Sequence, residues 1–258
     1  MINFAIGADP EVFVGDDSGA AKSIIGKIGG TKYAPLPLPL GDGFAVQEDN
    51  VALEFNIPAS RSKSEFVSNI MKATDFLEKD VIDRHGLRFL HESAISFPEE
   101  EMYSPEAFVF GCEPDYNAWT GKVNHKPKAG DPLLRSCGGH VHIGCKEFDP
   151  AEIIKACDLF LGVPSTIMDE GERRKQLYGK YGAYRRKHYG PEYRVLSNFW
   201  IFKPELIEWV HDNVGRALDA VSKKFDFNAE EESIRTAIND GNKDVALQLV
   251  NKYNLQLV

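Results

Sequence analysis

Hydrophobic and polar residues alternate along several short stretches of the chain, and this alternation predicts β-strands that are buried on one side. The first stretch covers residues 2–15, where Ile6, Val12 and Val14 fall on the same side. The region between residues 26 and 45 is rich in glycine and proline, which predicts an ordered loop. The other predicted strands cover residues 46–57, 88–97, 107–117, 134–145 and 193–202.

Hydrophobic residues spaced three and four apart predict helices elsewhere in the chain. The longest example covers residues 62–84 and begins at serines that are suited to N-capping. Asp149 is the expected N-cap of a helix over residues 150–163, and a proline opens the helix predicted for 204–225. Because strands and helices interleave without regular βαβ alternation, the expected class is α+β with a largely antiparallel sheet. The remaining predicted helices cover residues 229–239 and 242–253.

The composition disfavours two classes of function. The 258 residues carry a net charge of −9, whereas proteins that bind nucleic acid without sequence preference usually present a basic surface. No window has the roughly 20 apolar residues of a membrane span, and the N-terminus lacks the pattern of a signal peptide. The four cysteines lack the paired spacing of a structural zinc site and are expected to be reduced thiols. We therefore expect a single cytoplasmic domain over residues 1–258.

Two of the predicted strands carry acidic residues on one face. Asp9 and Glu11 are two residues apart, and side chains at this spacing on a strand point the same way. In the next strand Glu48 and Glu54 are an even number of residues apart and are expected on one face, while hydrophobic residues occupy the other face. Carboxylates on one face repel each other unless water or a cation separates them. For each strand by itself, a solvated polar face is the alternative interpretation.

Two later segments contribute imidazole and guanidinium groups. His140 and His142 share a face of a predicted strand and follow a glycine pair that permits close approach by a ligand. Glu192 and Arg194 share a face in the same way. Cations over residues 185–188 precede them and suit phosphate oxygens, although a solvated run of charge is the alternative.

The four segments together indicate a chemistry that none of them specifies alone. They supply at least five oxygen or nitrogen ligands with cations nearby. Hard cations such as Mg²⁺ prefer carboxylate oxygens and retain water and substrate phosphates as further ligands. The combination therefore predicts ATP-dependent phosphoryl transfer.

In this order the four segments resemble the glutamine synthetase and glutamate–cysteine ligase superfamily, most closely its phage-type COOH–NH2 ligase (amidoligase) branch. The resemblance covers about residues 5–202. It implies a curved, largely antiparallel sheet of the glutamine synthetase catalytic type, with helices packed on one face. Asp9 stands where the family more often has glutamate, and the sequence lacks the ammonia-site signatures of glutamine synthetase. The amine substrate therefore stays open.

The resemblance also implies roles for individual residues. The implied metal ligands are Asp9, Glu11, Glu48, Glu54, His140 and Glu192. The implied nucleotide contacts are His142, Arg185 and Arg186. The implied catalytic residues are Arg194, Glu11 and Glu192. The segment 111–119 is expected in the substrate or nucleotide cleft, with Asp115, Asn117 and Arg194 as the substrate-binding residues.

The implied activity is that of a ligase that uses ATP and Mg²⁺ or Mn²⁺ to join a carboxylate to an amine through an acyl phosphate. Three alternatives stay open: a phosphotransferase acting on a guanidino compound, a non-catalytic phage protein that keeps a nucleotide or metal site, and a metal-dependent hydrolase. Expected partners are small-molecule or peptide carboxylates and amines, without a membrane or bulk nucleic acid, and an oligomer is compatible with the sequence. A phage-encoded chain would act in the host cytoplasm.

Overall fold

The first predicted strand is divided at Asp9-Pro10, and this division determines how the sheets meet. The computed structural model describes residues 2–109, 115–125 and 130–258. Proline cannot donate a hydrogen bond to a sheet ladder, so the strand direction is free to change at this point. The strands are β1 (Ala5–Ala8), β2 (Glu11–Gly15), β3 (Ala21–Lys22), β4 (Leu36–Pro37), β5 (Ala45–Asp49), β6 (Ala52–Asn56), β7 (Arg88–Leu90), β8 (Ala94–Ser96), β9 (Tyr116–Asn117), β10 (Leu134–Ser136), β11 (Val141–Gly144), β12 (Ala183–Lys187) and β13 (Gly190–Tyr193).

Two antiparallel sheets share the segment that contains Pro10. One sheet has the order β1-β11-β13-β12-β9, and the other has the order β3-β2-β6-β5-β4 with β7 added beside β2. The amide of Ile57 donates to the carbonyl of Ala8 at 3.3 Å, and the amide of Phe55 donates to that of Pro10 at 3.1 Å. These bonds continue the pairing of the β6 chain across the break, so the two sheets form one curled surface. The predicted α+β class and the largely antiparallel sheet are confirmed.

The segment predicted as one strand over residues 46–57 is a hairpin. Asn50 has a φ of 58°, and its side-chain oxygen accepts a hydrogen bond from the amide of Val51 at 2.8 Å. Asparagine tolerates this left-handed conformation because its short polar side chain can bond to the neighbouring backbone. Strand β5 therefore ends at Asp49, and β6 returns antiparallel to it.

Other predicted strands are also shorter than the alternation suggested. The segments 88–97 and 134–145 each contain two short strands, with β10 paired to β8. Among the described residues of 107–117, which exclude 110–114, β9 is the one strand, and residues 105–108 form a 3₁₀ turn. The prediction of a strand over 193–202 is wrong beyond Tyr193, because Asn198–Phe202 is a 3₁₀ helix that begins at the capping hydroxyl of Ser197.

The predicted helices are confirmed with small shifts of their ends. The Ser62 hydroxyl caps the first helix by accepting a hydrogen bond from the amide of Glu65, and Asp149 caps the second through the amide of Ala151. Each of these two helices continues into a π-helical turn, at Leu77–Ile82 and at Asp158–Gly162. The helices are α1 (Lys63–Phe76), α2 (Pro150–Cys157), α3 (Val163–Met168), α4 (Pro204–Ser222), α5 (Glu231–Asn239) and α6 (Lys243–Tyr253).

One large hydrophobic core joins the curled sheet to the helices. It runs from Ile6 on β1 through Tyr193 on β13 to the helices near the C-terminus, while a smaller cluster around Phe13 and Phe97 fills the space beside β7. Helix α2 packs on β12 and β13, and α4 packs on both α1 and α2. Three cysteines are buried free thiols, whereas Cys112 lies outside the described residues. None of the described helices is long and apolar enough to cross a membrane.

A buried carboxylate connects the helical layer to the sheet. Asp158, at the start of the π-helical turn, has no exposed surface and accepts hydrogen bonds from Trp119 Nε1 at 2.7 Å, the Gly182 amide at 2.6 Å and the Tyr193 hydroxyl at 3.0 Å. Burial raises the pKa of Asp158 to about 7, although the three donors oppose that rise. These hydrogen bonds fix the helix-facing side of β12 and β13. The opposite side of the two strands carries the charged residues described below.

We expect Asp158→Ala to destabilise the protein strongly, because three buried donors lose their acceptor. The expected loss is about 2–4 kcal/mol in the free energy of unfolding, measured with urea by circular dichroism. Asp158→Asn serves as the matched control, since its amide keeps an acceptor oxygen and the Tyr193 hydroxyl can rotate to accept. Equal stability of the alanine variant and the wild type would contradict this account.

Candidate functional site

The charged segments predicted from the sequence meet on one face of the curled sheet. In the first sheet His142 lies opposite Gly7 on one side and Glu192 on the other, and Arg185 lies opposite Glu192. Residues that are opposite one another in adjacent strands project to the same face. The register therefore places an imidazole, a carboxylate and a guanidinium in one row.

A second row lies across the other sheet. Glu54 is opposite Glu11 on β2 and opposite Gln47 on β5. The Gln47 amide donates to Glu54 at 2.6 Å, and the Gly138 amide donates to Glu11 at 2.6 Å. Because β1 and β2 are consecutive, this row lies beside the first one. Both rows face the same cavity.

The cavity has a volume of about 750 Å³, which is within the range of small-molecule sites. Glu192 has no exposed surface and does not line the cavity, but it is opposite His142 and Arg185, which do. Residues outside the predicted set also line it, including Lys32, Gln47, Asp49, Arg174, Tyr178 and Lys187. Seven of the residues predicted from the sequence line it: Asp9, Glu11, Glu54, His140, His142, Arg185 and Arg194.

Three side chains at one end of the cavity have the geometry of a metal site. Ligand atoms of Asp9, His140 and Glu192 lie within 4.8 Å of one another. One oxygen each of Asp9 and Glu192 is buried and has no hydrogen bond of good geometry. Two carboxylates and one imidazole are a suitable donor set for Mg²⁺ or Mn²⁺, and the unbonded oxygens fit such an ion.

Positive groups keep the two carboxylates of this group ionised. Burial opposes ionisation of Asp9, but His142, whose Nε2 lies 3.0 Å from Oδ1, holds its pKa well below the usual value. Burial and Asp9 both oppose ionisation of Glu192, yet Arg194, together with His142, lowers its pKa to about 2. Both side chains are therefore available as anionic ligands at neutral pH.

The imidazole of His140 is neutral in this setting. Burial, followed by the charge of Arg194, lowers the pKa of His140 to about 4. Arg194 Nη1 lies 3.2 Å from His140 Nδ1 and also donates to Glu192 Oε1. Because a guanidinium can only donate, Nδ1 is the acceptor here. A neutral imidazole with a lone pair at this position is the form that binds metals.

The second row of acids differs electrostatically from the first. Burial, with a smaller contribution from Asp49, raises the pKa of Glu11 to about 8. Burial and the charges of Asp9 and Asp49 raise the pKa of Glu54 well above its usual value. These carboxylates are near one another without enough compensating cations. A bound divalent cation would relieve that repulsion, so this row fits a second metal position.

The placement of Glu48 contradicts the predicted acidic face. Glu48 is opposite Leu53, and its carboxylate accepts hydrogen bonds from the amides of Gly26, Ile28 and Gly29 at 2.7–2.9 Å. It points away from Glu54 because the turn at Asn50 shifts the alternation between β5 and β6. We therefore remove Glu48 from the metal ligands. Gln47 and Asp49 are the β5 residues that face the cavity.

Arg186 is also absent from the cavity. It follows Arg185 on β12 and so projects to the opposite face, where Nε donates to the Tyr184 hydroxyl at 3.2 Å. Lys187, two residues after Arg185, lines the cavity in place of Arg186, with Nζ 3.0 Å from Glu192 Oε2. Strict alternation from Arg185 could have identified Lys187, but the sequence did not show where β12 begins and ends.

The predicted substrate residues divide into two groups. Asp115 lies beside the cavity residue Arg194, with Oδ2 3.6 Å from Nε. Asn117 does not reach the cavity, since its side-chain oxygen accepts from the amides of Trp119 and Thr120 and its amide donates to Tyr181. Its role is to shape the turn after β9. The part of this segment at residues 111–114 lies outside the described residues.

The glycine pair before His140 is required by the protein's own packing. A Cβ at Gly138 would collide with the His140 ring, and one at Gly139 would collide with the Ser197 carbonyl and the Trp200 indole. The sequence suggested that these glycines make room for a ligand, but in the structure the space beside them is taken by the protein's own residues. The glycines let the His140 imidazole fold back beside Asp9.

Comparison with known proteins identifies a family. Residues 129–257, half of the chain, match the model of the family described as "Phage phiEco32-like COOH.NH2 ligase-type 2". No curated protein matches the chain. A structure titled "Apo GmaS without ligand" is 14% identical with a TM-score of 0.44, over 99% of this chain and 70% of that one. A "GmaS/ADP complex" is 12% identical with a TM-score of 0.39, over 99% and 71%. Likeness to structures at this level carries no argument.

The raised pKa of Glu11 predicts a specific effect of pH on stability in the presence of a chelator. An exposed glutamate has a pKa near 4.5, whereas that of Glu11 is about 8 in the folded protein. Between these values the unfolded chain is ionised and the folded protein is protonated, so stability falls as pH rises. Glu11→Gln removes this loss. We expect the variant to exceed the wild type by about 2–4 kcal/mol at pH 8, and by much less near pH 5.

Urea unfolding at the two pH values measures this difference. Addition of Mn²⁺ provides the control, since it should stabilise the wild type more than Glu11→Gln. A stability difference that is the same at both pH values would show that Glu11 is not the titrating group.

Proposed function

Because the chain belongs to the phage phiEco32-like COOH.NH2 ligase-type 2 family, we propose that it is an ATP-dependent ligase that joins a carboxylate to an amine through an acyl phosphate. One observation supports this most strongly. Asp9, His140 and Glu192 converge at one end of the cavity, and Arg194, Arg185 and Lys187 surround the same position. A divalent-ion site that adjoins several cations suits the triphosphate of ATP.

In the first proposed step an oxygen of the substrate carboxylate attacks the γ-phosphorus of ATP, and the bond to the ADP oxygen breaks. Asp9, His140 and Glu192 would hold one Mg²⁺, and Glu11 and Glu54 would contribute to a second position. The bound ions would neutralise charge on the phosphate oxygens. Most of the rate enhancement in such reactions comes from positioning and charge stabilisation, which fixed side chains provide.

The cations have separate proposed tasks. Arg194 is held by Glu192 and Asp115, so its guanidinium is fixed where the reacting carboxyl and phosphoryl groups would meet. Arg185 and Lys187 project from the neighbouring strand and would bind the phosphate chain. Arginine binds oxygen pairs through two parallel hydrogen bonds, and lysine supplies a mobile point charge.

In the second proposed step the amine nitrogen attacks the acyl carbon, the bond to the phosphate oxygen breaks, and the amine loses a proton. The products are an amide, ADP and inorganic phosphate. His142 lies between Asp9 and Tyr189, at the edge of this group, and is proposed to contact the nucleotide phosphates.

Two adjacent arginines provide a matched test of the proposed nucleotide site. Arg185→Met should weaken binding of Mg·ATP by about tenfold or more, because a charge-assisted phosphate contact is lost. Arg186→Met changes the net charge equally but alters the opposite face of β12, so its affinity should stay near that of the wild type. Isothermal calorimetry measures both. Equal effects of the two substitutions would contradict the proposed location of the phosphates.

Oxygen transfer tests the order of the chemistry. A screen of carboxylate and amine pairs for release of ADP and phosphate would identify substrates, and product mass would identify the amide. With ¹⁸O in the substrate carboxylate, an acyl phosphate must pass one labelled oxygen to the released phosphate. Unlabelled phosphate together with AMP would instead indicate an acyl adenylate. ADP without free phosphate would indicate a phosphotransferase.

A further inference from the structure

Three cationic side chains surround the carboxylate of Glu192, although a single positive charge would balance its charge. Its Oε1 accepts from Arg194 and lies 3.8 Å from Arg185 Nη1, and its Oε2 lies 3.0 Å from Lys187 Nζ. The Oε2 atom is buried and receives no hydrogen bond of good geometry. The contact with Lys187 is therefore held mainly by charge, and such a contact can be exchanged for another.

Lys187 is the most exposed of these cations. Its side chain is 31% exposed, against 11% for Arg194 and 14% for Arg185. Arg194 is also held from a second side by Asp115. Lys187, like Arg185, lines the main cavity and also a neighbouring cavity of about 560 Å³, and its flexible four-carbon chain has space to move there.

A metal ion and the Lys187 ammonium compete for the same carboxylate. Glu192 is one of the three side chains whose ligand atoms lie within 4.8 Å of one another. A divalent ion bound there is attracted less strongly to Glu192 as long as the Lys187 ammonium, 3.0 Å away, neutralises that carboxylate. The ammonium in turn needs another anion if the ion displaces it. A nucleotide phosphate at the same end of the cavity would be that anion.

We propose that Lys187 transfers its charge from Glu192 to the nucleotide phosphates when the metal binds, so that metal and nucleotide bind cooperatively. This inference rests on the proposed function, because it takes the ligands to be a divalent ion and ATP. Coupling of this kind is reciprocal, and each ligand tightens the binding of the other. Lys187 is thus a positioning residue for the nucleotide and a competitor of the metal.

The test compares Mn²⁺ and ATP binding by calorimetry in Lys187→Met and the wild type. Without nucleotide, Lys187→Met should bind Mn²⁺ about fivefold more tightly, since the competing cation is gone. At saturating Mn²⁺, the same variant should bind ATP about fivefold or more weakly, since a phosphate contact is gone. A residue that merely supported the structure would weaken both ligands. The proposed exchange predicts in addition that the factor by which Mn²⁺ tightens ATP binding is smaller in Lys187→Met than in the wild type, whereas a lysine that stayed in place would leave this factor unchanged.

Two further variants make the result specific. Lys187→Arg keeps the charge and should keep Mn²⁺ affinity near that of the wild type. Lys79→Met removes one positive charge from an exposed lysine outside the site and should change neither affinity. Unchanged or weaker Mn²⁺ binding by Lys187→Met would overturn this inference while leaving the ligase proposal intact. Failure of the wild type to bind Mn²⁺ even with ATP would overturn both.

Discussion

The site depends on the burial of one carboxylate, that of Glu192. The residue has no exposed surface and lies on β13, between β11 and β12 in the middle of its sheet. An isolated buried charge is costly, so it persists only where other groups compensate it. Each neighbouring strand contributes to that compensation, with an imidazole from β11 and two cations from β12. The register of three strands is thus tied to one negative charge.

This arrangement also explains why the opposite face of β13 is so firmly fixed. Tyr193, which follows Glu192, turns to the helical side and donates to Asp158. A buried carboxylate therefore lies on each side of β13, and the two differ in what they contact. Asp158 joins helix to sheet and its hydrogen bonds are internal, whereas Glu192 presents its charge toward the cavity. Rotation or slippage of β13 would disturb both at once.

Alternation along the chain predicted the site correctly wherever a strand was continuous. His140 and His142 share a face as expected, and Asp9 and Glu11 reach the same cavity in spite of the break at Pro10. The method failed for Glu48 because Asn50 forms a turn inside the predicted strand, and it failed for Arg186 because the phase of β12 was unknown. In each case the adjacent residue faces the cavity. The errors are therefore errors of phase in the two strands.

Long-range contacts lay beyond prediction for a different reason. No local pattern places Glu54 opposite Glu11, since strand pairing depends on residues far apart in the sequence. Arg174 shows this clearly: it is buried, lines the cavity and donates to the carbonyls of Val195 and Arg194, yet it belongs to a short 3₁₀ segment without periodicity. The resemblance to the COOH–NH2 ligase branch, which rested on the order of the four segments, is confirmed by the family match. The roles of individual residues remain proposals.

The attachment of Glu48 to the loop at residues 26–29 has a consequence for how this protein could diversify. Side chains alternate along β5: Gln47 donates a hydrogen bond to Glu54 in the acidic row, whereas Glu48, on the other side, accepts hydrogen bonds from the loop. Insertion of a single residue into β5 would exchange the two sets and lose both functions. The stretch from Lys32 to Phe44 forms part of the cavity wall, and its ends are held by β5 and the loop. Leu38 and Phe44 belong to the core and β4 pairs with β5, so the part of the stretch that can change without disturbing the sheet is its exposed cavity-lining residues, Lys32 and Pro35. Substitutions there would reshape the cavity wall while the length of β5 stays constant.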